Sequence, residues 1–169
     1  YRHREFSNSA SSGDLAFIDQ LEKPVAFWKN ALLQGNKRNY LHQDQNANGE
    51  LLIEFPDRMK KGSWSEEHAG RIKQATAVVE QCDSIAEKIT VMKSKAQRNG
   101  FNLEVYEQVN KLVRFTSKAL LSLNTLDNAQ SEQQELEAIS ELKQLPSKFA
   151  ELRSELEEVY GKTRILTKP

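Results

Sequence analysis

Between Ser63 and Gly100 the chain contains no proline, and its apolar residues recur every seven positions in three neighbouring rows. This spacing places them on one side of an α-helix. The rows are Ile72, Val79 and Ala86; Ala75, Cys82, Ile89 and Ala96; and Val78, Ile85 and Met92. Two rows suit a two-helix coiled coil, whereas three rows make a stripe broad enough to contact two or more helices. The sequence therefore predicts one continuous helix, about 50 Å long at 1.5 Å per residue, within a bundle.

Both ends of this predicted helix carry boundary signals. Ser63 and Glu66 match the S-x-x-E capping box, in which each side chain bonds the other residue's free backbone N–H. Gly100 suits the left-handed position just after a helix end, because glycine has no Cβ to clash there. We therefore expect an unbroken helix from Ser63 to Gly100.

Two more helices are predicted after it. Asn102 is a suitable N-cap for a third helix reaching about Leu126, and Ser131 with Gln134 forms a capping box for a fourth helix that stops at Gly161. The fourth helix has an apolar stripe of Ala138, Leu142, Leu145, Phe149, Leu152, Leu156 and Val159. Because the connections are short, consecutive helices should be antiparallel neighbours.

A first helix is predicted from about Ser12 or Asp14 to Leu33, although Pro24 lies in its middle. A proline removes one N–H and clashes with the carbonyl four residues back. The apolar spacing continues across Pro24, so we expect a kink rather than two unrelated helices. The same interpretation applies to Pro146 in the fourth helix.

Residues 36–62 have the weakest helical pattern. Leu51 to Phe55 alternate in the manner of a short extended segment, which we expect to lie across the bundle and to pair near Tyr40. The predicted fold class is therefore all-α: an up-and-down antiparallel bundle of three to four long helices with an irregular, partly extended segment at about 36–62. Residues 1–12 are predicted to join the chain to an upstream region, residues 13–161 to form the bundle, and residues 162–169 to be a truncated linker.

One spacing in the irregular segment is similar to a calcium-binding loop. Asp44, Asn46 and Asn48, followed by Gly49, match its first ligand positions and its glycine. The last position requires a bidentate carboxylate, and Phe55 stands there. Because Asn-Gly also favours tight turns, we interpret these residues as a turn and predict no metal site.

Composition excludes several classes of function. Lys plus Arg equals Asp plus Glu among the 169 residues, so the net charge is zero and gives no indication of nucleic-acid binding. No apolar run approaches the ~20 residues of a membrane-spanning helix. Cys82 is the single cysteine, which rules out an internal disulfide, and its place on the apolar stripe predicts a small buried hydrophobe rather than a nucleophile.

The chain also lacks the common signatures of catalysis. His3, His42 and His68 show no metal-binding spacing, and no Gly-rich phosphate loop is present. His68 is expected to face solvent, and the many glutamates fall on predicted polar helix faces. We therefore predict no catalytic residue and no cofactor. Aromatic residues are the remaining candidates: Trp28, Tyr40 and Trp64 could contact a sugar or a partner, although Trp28 is better interpreted as core.

Three stretches resemble a known family: PD…GSWS within 56–65, RN…LEVYEQVN within 98–110, and ELR…EEVYGKTR within 151–164. Together they resemble the helical region that follows the catalytic barrel in some bacterial glycoside hydrolase family 20 proteins, the β-N-acetylhexosaminidases, especially those of gut Bacteroides-type bacteria. The family's catalytic signature is Gly-Gly-Asp-Glu, and this chain has neither a Gly-Gly nor an Asp-Glu pair. The resemblance thus implies that catalysis lies outside these residues.

Two functional hypotheses follow. The first is a non-catalytic accessory domain of a periplasmic or secreted glycosidase, with the catalytic domain of the same polypeptide as its partner and a homodimer through helix faces as a further possibility. The second is a free-standing helical module for protein interaction or dimerisation, with no role in carbohydrate metabolism. A third, a sugar-binding or enzymatic site, depends on the aromatic residues above.

Overall fold

The computed structural model describes residue 6, residues 15–33 and residues 53–162. Tyr40 and the calcium-like spacing of Asp44, Asn46 and Asn48 lie outside these residues, as do the predicted start of the first helix and most of the two predicted linkers. Within the described residues the protein is all-α and contains no strand. Its helices are α1 (Ala16–Gln20), α2 (Glu22–Trp28), α3 (Ser63–Glu67), α4 (Ala69–Lys95), α5 (Gly100–Asp127) and α6 (Glu132–Gly161).

Helices α4, α5 and α6 are the long elements, and α5 lies in the middle. It packs against α4 on one side and α6 on the other, while α2 contacts both α4 and α5, and α1 lies on α4. The short connections 96–99 and 128–131 reverse the chain between them. The predicted all-α bundle is therefore confirmed, with α1 and α2 in the place of the predicted first helix.

The predicted single helix from Ser63 to Gly100 is wrong at one residue. His68, with φ −101° and ψ 14°, separates α3 from α4. Helical hydrogen bonds still span this residue, since His68 N–H donates to Trp64 O and Ile72 N–H donates to His68 O, both at 3.0 Å. The interruption is thus confined to the backbone of one residue, whose ring packs against Trp64.

The helix begins at Ser63 as predicted, but the predicted caps and the predicted end are wrong. Gly62, at φ 84°, precedes α3 without a side-chain cap, and the Ser63 hydroxyl donates to Lys60 O at 2.6 Å instead of capping the helix. At the other end α4 stops at Lys95, and Asn99 rather than Gly100 adopts the left-handed conformation, with φ 56°. Asparagine tolerates that region better than most residues. Asn102 consequently lies within the first turn of α5 and does not cap it.

As predicted, the chain around Pro24 is not divided into two unrelated helices: across the interruption that precedes it, Leu21 N–H donates to Phe17 O and Val25 N–H donates to Leu21 O, both at 3.0 Å. The break between α1 and α2 falls at Leu21, which puts Pro24 in the first turn of α2, where the missing N–H is no loss. Pro24 has no N–H to donate to the Gln20 carbonyl four residues back. That carbonyl instead accepts a hydrogen bond from Gln81 Nε2 at 2.8 Å. Pro146 lies within α6, which continues past it as predicted.

The core is centred on the α4–α5 interface. A first cluster joins three parts of the chain. It contains Phe6, Leu15, Phe17 and Leu21 from before α2, Ile85, Ile89 and Met92 from α4, and Leu103 from α5. Phe6 belongs to the predicted upstream linker, yet it is 2% exposed and its carbonyl accepts N–H bonds from Gln97 and Arg98. Residue 6 is therefore part of the packed domain.

Cys82 is fully buried in a second part of this core, as predicted. Burial raises the pKa of its thiol to about 11, and the neighbouring Asp83 carboxylate contributes in the same direction. Asn110 on α5 donates to the Cys82 carbonyl at 2.8 Å. The cysteine thus packs as a small apolar residue, and no thiolate is available for nucleophilic chemistry near neutral pH.

Candidate docking surfaces

The first candidate surface lies at the end of the bundle where α3 and α6 begin. Residues 53–57 run as irregular chain: Ile53 N–H donates to Leu32 O at 2.9 Å, and Glu54 O accepts a 2.8 Å bond from the Trp64 indole. These contacts tie the loop to the chain after α2 and to α3. The predicted extended segment therefore pairs, where it is described, with Leu32.

Trp64 is a structural anchor of this end. It is 6% exposed, and the His68 ring stands edge-on to it with centroids 4.6 Å apart. Beside it is an open pocket of about 270 Å³, which Glu54, Asp57, Lys60, Glu67 and His68 line together with Ile53, Phe55, Ser63 and Trp64. The buried indole gives a ligand no ring face to stack on, although stacking is the contact that sugar sites commonly use.

Trp28 and Trp64 do not come together. Trp28 is half-buried against the cluster of Val78, Cys82 and Val113, whereas Trp64 belongs to the cluster that contains Leu120 and Leu123. A sugar contact at Trp28, Tyr40 or Trp64 stays a prediction from the sequence. His68, expected in solvent, is partly buried by its contact with Trp64.

Three large apolar side chains are exposed at this same end, and we call them the end patch: Phe55, Met59 and Leu136. They are 71%, 90% and 56% exposed. Phe55 and Met59 stand on the loop before α3, and Leu136 is in the first turns of α6. Isolated exposed apolar residues are common, but three at one end of a small domain are typical of an interaction surface.

A polar network fixes the backbone beneath the end patch. Asp127, at the end of α5, is 2% exposed. Its side-chain carboxylate accepts a hydrogen bond from Ser65 N–H at 2.8 Å, and its backbone carbonyl accepts one from Gly62 N–H at 3.2 Å. Glu135 on α6 is 7% exposed and lies 2.5 Å from Arg58 Nε. Lys61 donates to Ala129 O at 2.9 Å. These bonds join the loop, α5 and α6, so the end patch is presented on a fixed backbone rather than a free loop.

The second candidate surface is the groove between α5 and α6, which we call the α5–α6 groove. It encloses about 450 Å³. Its floor is apolar, with Phe115, Leu145 and Leu152, and the Phe115 ring lies 5.8 Å from that of Phe149. Its rim is basic: the lining includes Lys111, Arg114, Lys118 and Lys148, with Glu141 as its one carboxylate.

Two of these rim cations are already paired. Lys111 bonds Glu155 at 2.7 Å, and Arg114 bonds Asp83 on α4 at 2.6 Å. The pKa of Glu155 is lowered by its hydrogen bonds from Lys111 and then from Gln108. Among the described residues, Lys118 and Lys148 form no ion pair. The groove therefore retains positive charge although the whole chain is neutral.

The sequence predicted neither surface. The end patch depends on which side of a loop faces solvent, which periodicity does not report. The groove had a weak signal, because Lys111, Arg114 and Lys118 recur at helical spacing beside Phe115. The groove could not be identified from that signal alone, because Lys148 belongs to α6 and reaches the groove only in the folded chain.

In residues 15–33 and 53–162, together with residue 6, no group of three or more His, Cys, Asp or Glu side chains could hold a metal ion. None of the helices in that part of the chain is long and apolar enough to cross a membrane.

Comparison with known proteins gives no family for the chain. No protein-family model, no curated protein and no solved structure matches it.

Proposed function

We propose that this chain is a non-catalytic helical accessory domain that docks on a partner domain through the end patch. The observation that carries the proposal is the exposure of Phe55, Met59 and Leu136 on a backbone held by Asp127 and Glu135. Ordering the backbone in advance lowers the entropic cost of binding. Apolar side chains presented on such a surface make effective contacts with a partner.

The partner class comes from the sequence resemblance alone. Residues of the GSWS stretch adjoin the end patch, and that stretch is one of the three that resemble the region after the barrel of β-N-acetylhexosaminidases. We therefore propose the catalytic domain of a bacterial glycosidase acting on N-acetylhexosamine-containing glycans as the partner, in the same polypeptide. A periplasmic or secreted location would follow from that partner.

The alternative is a free-standing interaction or dimerisation module. The α5–α6 groove supports it, because a basic rim over an apolar floor suits a protein partner. The two functions differ in what flanks this chain and in which surface they use. Hydrolysis of 4-nitrophenyl N-acetyl-β-glucosaminide by the natural polypeptide supports the accessory domain, and a polypeptide without that activity contradicts a glycosidase partner.

Docking itself is tested in the natural polypeptide by the double substitution Phe55→Asp and Met59→Asp. We expect the two domains to separate, so that one thermal transition becomes two and proteolysis between them becomes faster. Val91→Asp, at an apolar residue 49% exposed on α4, is the matched control and should preserve the single transition. An unchanged transition and an unchanged proteolysis rate in the double variant would contradict docking through the end patch.

A further inference from the structure

Charge on the groove side of α6 is separated along the helix. Lys148, Glu151, Glu155 and Glu158 follow a three-four-three spacing, which places them in one stripe. Lys148 lines the α5–α6 groove and Glu155 bonds Lys111 on its rim, and Glu151 and Glu158 share their stripe of α6 by helical spacing. It is basic at Lys148 and acidic toward the end of the helix.

The neighbouring helix strengthens the basic part. Lys118 on α5 lines the groove together with Lys148, and neither forms an ion pair among the described residues. Glu151 and Glu158 are exposed at the acidic part. One surface thus carries a positive part and a negative part side by side, with the apolar floor of Phe115, Leu145 and Leu152 between the helices.

A surface of this kind is complementary to itself when rotated by a half turn. Two antiparallel copies of α6 would set the acidic part of one stripe against the basic part of the other, and the contact would occur twice by symmetry. Parallel copies would instead place like charges together. Charge complementarity therefore favours a second copy of this chain over an unrelated anion. An anion would pair with the lysines but would be repelled by the glutamates beside them.

We propose that the α5–α6 groove is a two-fold dimer interface, in which Lys118 and Lys148 of each copy receive Glu151 and Glu158 of the other. The apolar floor supplies the buried area, and the charges set the orientation and exclude the parallel arrangement. This interface uses a different surface from the end patch. It does not depend on the proposed docking to a catalytic domain.

The test is sedimentation equilibrium of the full chain at several concentrations. We expect a dimer for the natural sequence, and a dissociation constant at least about tenfold weaker for Lys118→Glu with Lys148→Glu, because like charges then meet. The opposite pair, Glu151→Lys with Glu158→Lys, should weaken the dimer to a similar degree. Mixing the two charge-reversed chains should restore dimerisation to within a few-fold of the natural level, because both symmetric contacts again join opposite charges.

The control is Lys23→Glu with Lys73→Glu, which changes the net charge equally at exposed positions on α2 and α4. It should dimerise as the natural chain does, and circular dichroism should report the same helix content for all variants. A natural chain that stays monomeric at high concentration overturns the interface. So does growth beyond a dimer, or a mixture of reversed chains that does not associate. Each of these outcomes leaves docking through the end patch intact, because that is measured in a separate experiment.

Discussion

Helices α4 and α6 carry similar apolar stripes in the sequence, yet they pack very differently on α5. In α4 the residues Ala75, Val78, Val79, Cys82, Ile85, Ile89 and Met92 are buried. In α6 the buried residues are Glu135, Ala138 and Val159, while Phe149 and Leu156 of the predicted stripe remain 46% and 40% exposed. Periodicity therefore predicts the side of a helix that turns inward, but it does not predict what covers that side.

The difference comes from the neighbours of each helix. Helix α4 packs on α5 and is also contacted by α1, α2 and α3, which close the other edge of its stripe. Helix α6 packs principally on α5. The apolar stripe of α6 is broad enough to contact two helices, but among the described helices it is covered principally by α5. The part of the stripe that α5 leaves uncovered contributes to the α5–α6 groove. Stability should therefore be concentrated at the α4–α5 interface, and the α5–α6 interface should depend more on polar contacts.

The largest expected contrast is between truncations in the two stripes. Ile85→Ala removes a side chain that is 0% exposed and should lower the free energy of unfolding by about 2–5 kcal/mol, through lost burial and a residual cavity. Leu156→Ala removes one that is 40% exposed and should cost less than about 1 kcal/mol, because solvent already reaches the site. Urea unfolding followed by circular dichroism measures both, and equal losses would contradict the contrast.

Much of the fold follows from the sequence because helix periodicity is local. Ser131 accepts from Gln134 N–H at 3.2 Å, as the capping box predicted, whereas the Gln134 side chain accepts from Gln130 N–H instead of Ser131 N–H; the all-α class is confirmed. The failures occur where distant contacts override local signals. Phe6 bonds the chain that follows α4, and Asp127 holds the start of α3, so neither boundary needs the cap that its sequence offers.

The candidate surfaces were less predictable for a related reason. Solvent exposure of Phe55 and Met59 is fixed by the loop's attachment to Asp127 and Glu135, which are far away in sequence. Lys111 pairs with Glu155, whereas Lys118 forms no ion pair among the described residues, and both outcomes depend on how α6 is placed against α5. Spacing along one helix reveals the charges but not which of them remain available for binding.

A smaller effect of opposite sign is expected at the prolines. Pro146 lies inside α6, where a proline costs about 3 kcal/mol relative to alanine, offset partly by the freedom that alanine restores to the unfolded chain. Pro146→Ala should therefore raise the free energy of unfolding by about 1–3 kcal/mol. Pro24→Ala is the matched control: Pro24 fits the first turn of α2, and its replacement should bring no gain. Loss of stability in Pro146→Ala would instead show that α6 requires a bend at that point to follow α5.

Polar contacts offer a finer comparison of the two interfaces. Asn110 is 2% exposed and donates to the Cys82 carbonyl on α4, whereas Gln108 is 8% exposed and donates to the exposed Glu155 on α6 at 3.2 Å. Asn110→Ala should cost about 1–2 kcal/mol, because it loses a buried hydrogen bond. Gln108→Ala should cost about half as much, because Glu155 keeps its Lys111 partner and solvent. Chemical unfolding of both variants tests the order, and a larger loss at Gln108 would reverse the comparison.

The smallest effect is a dependence of stability on acidic pH at the α5–α6 interface. Hydrogen bonds from Lys111 and Gln108 lower the pKa of Glu155 from its ordinary value of 4.5, so the unfolded chain takes up this proton at a higher pH than the folded one. The stabilisation is therefore present above pH 4.5 and is lost as the pH falls through the lowered pKa. Glu155→Gln should unfold at a lower temperature than the natural chain at pH 7, and the difference should shrink toward zero below pH 4.5. Glu137→Gln, at an exposed α6 carboxylate that accepts from Gln133 of the same helix, is the control variant. A Glu155→Gln difference that is constant with pH would show that the side chain acts by packing, as at the α4–α5 interface, and not by charge.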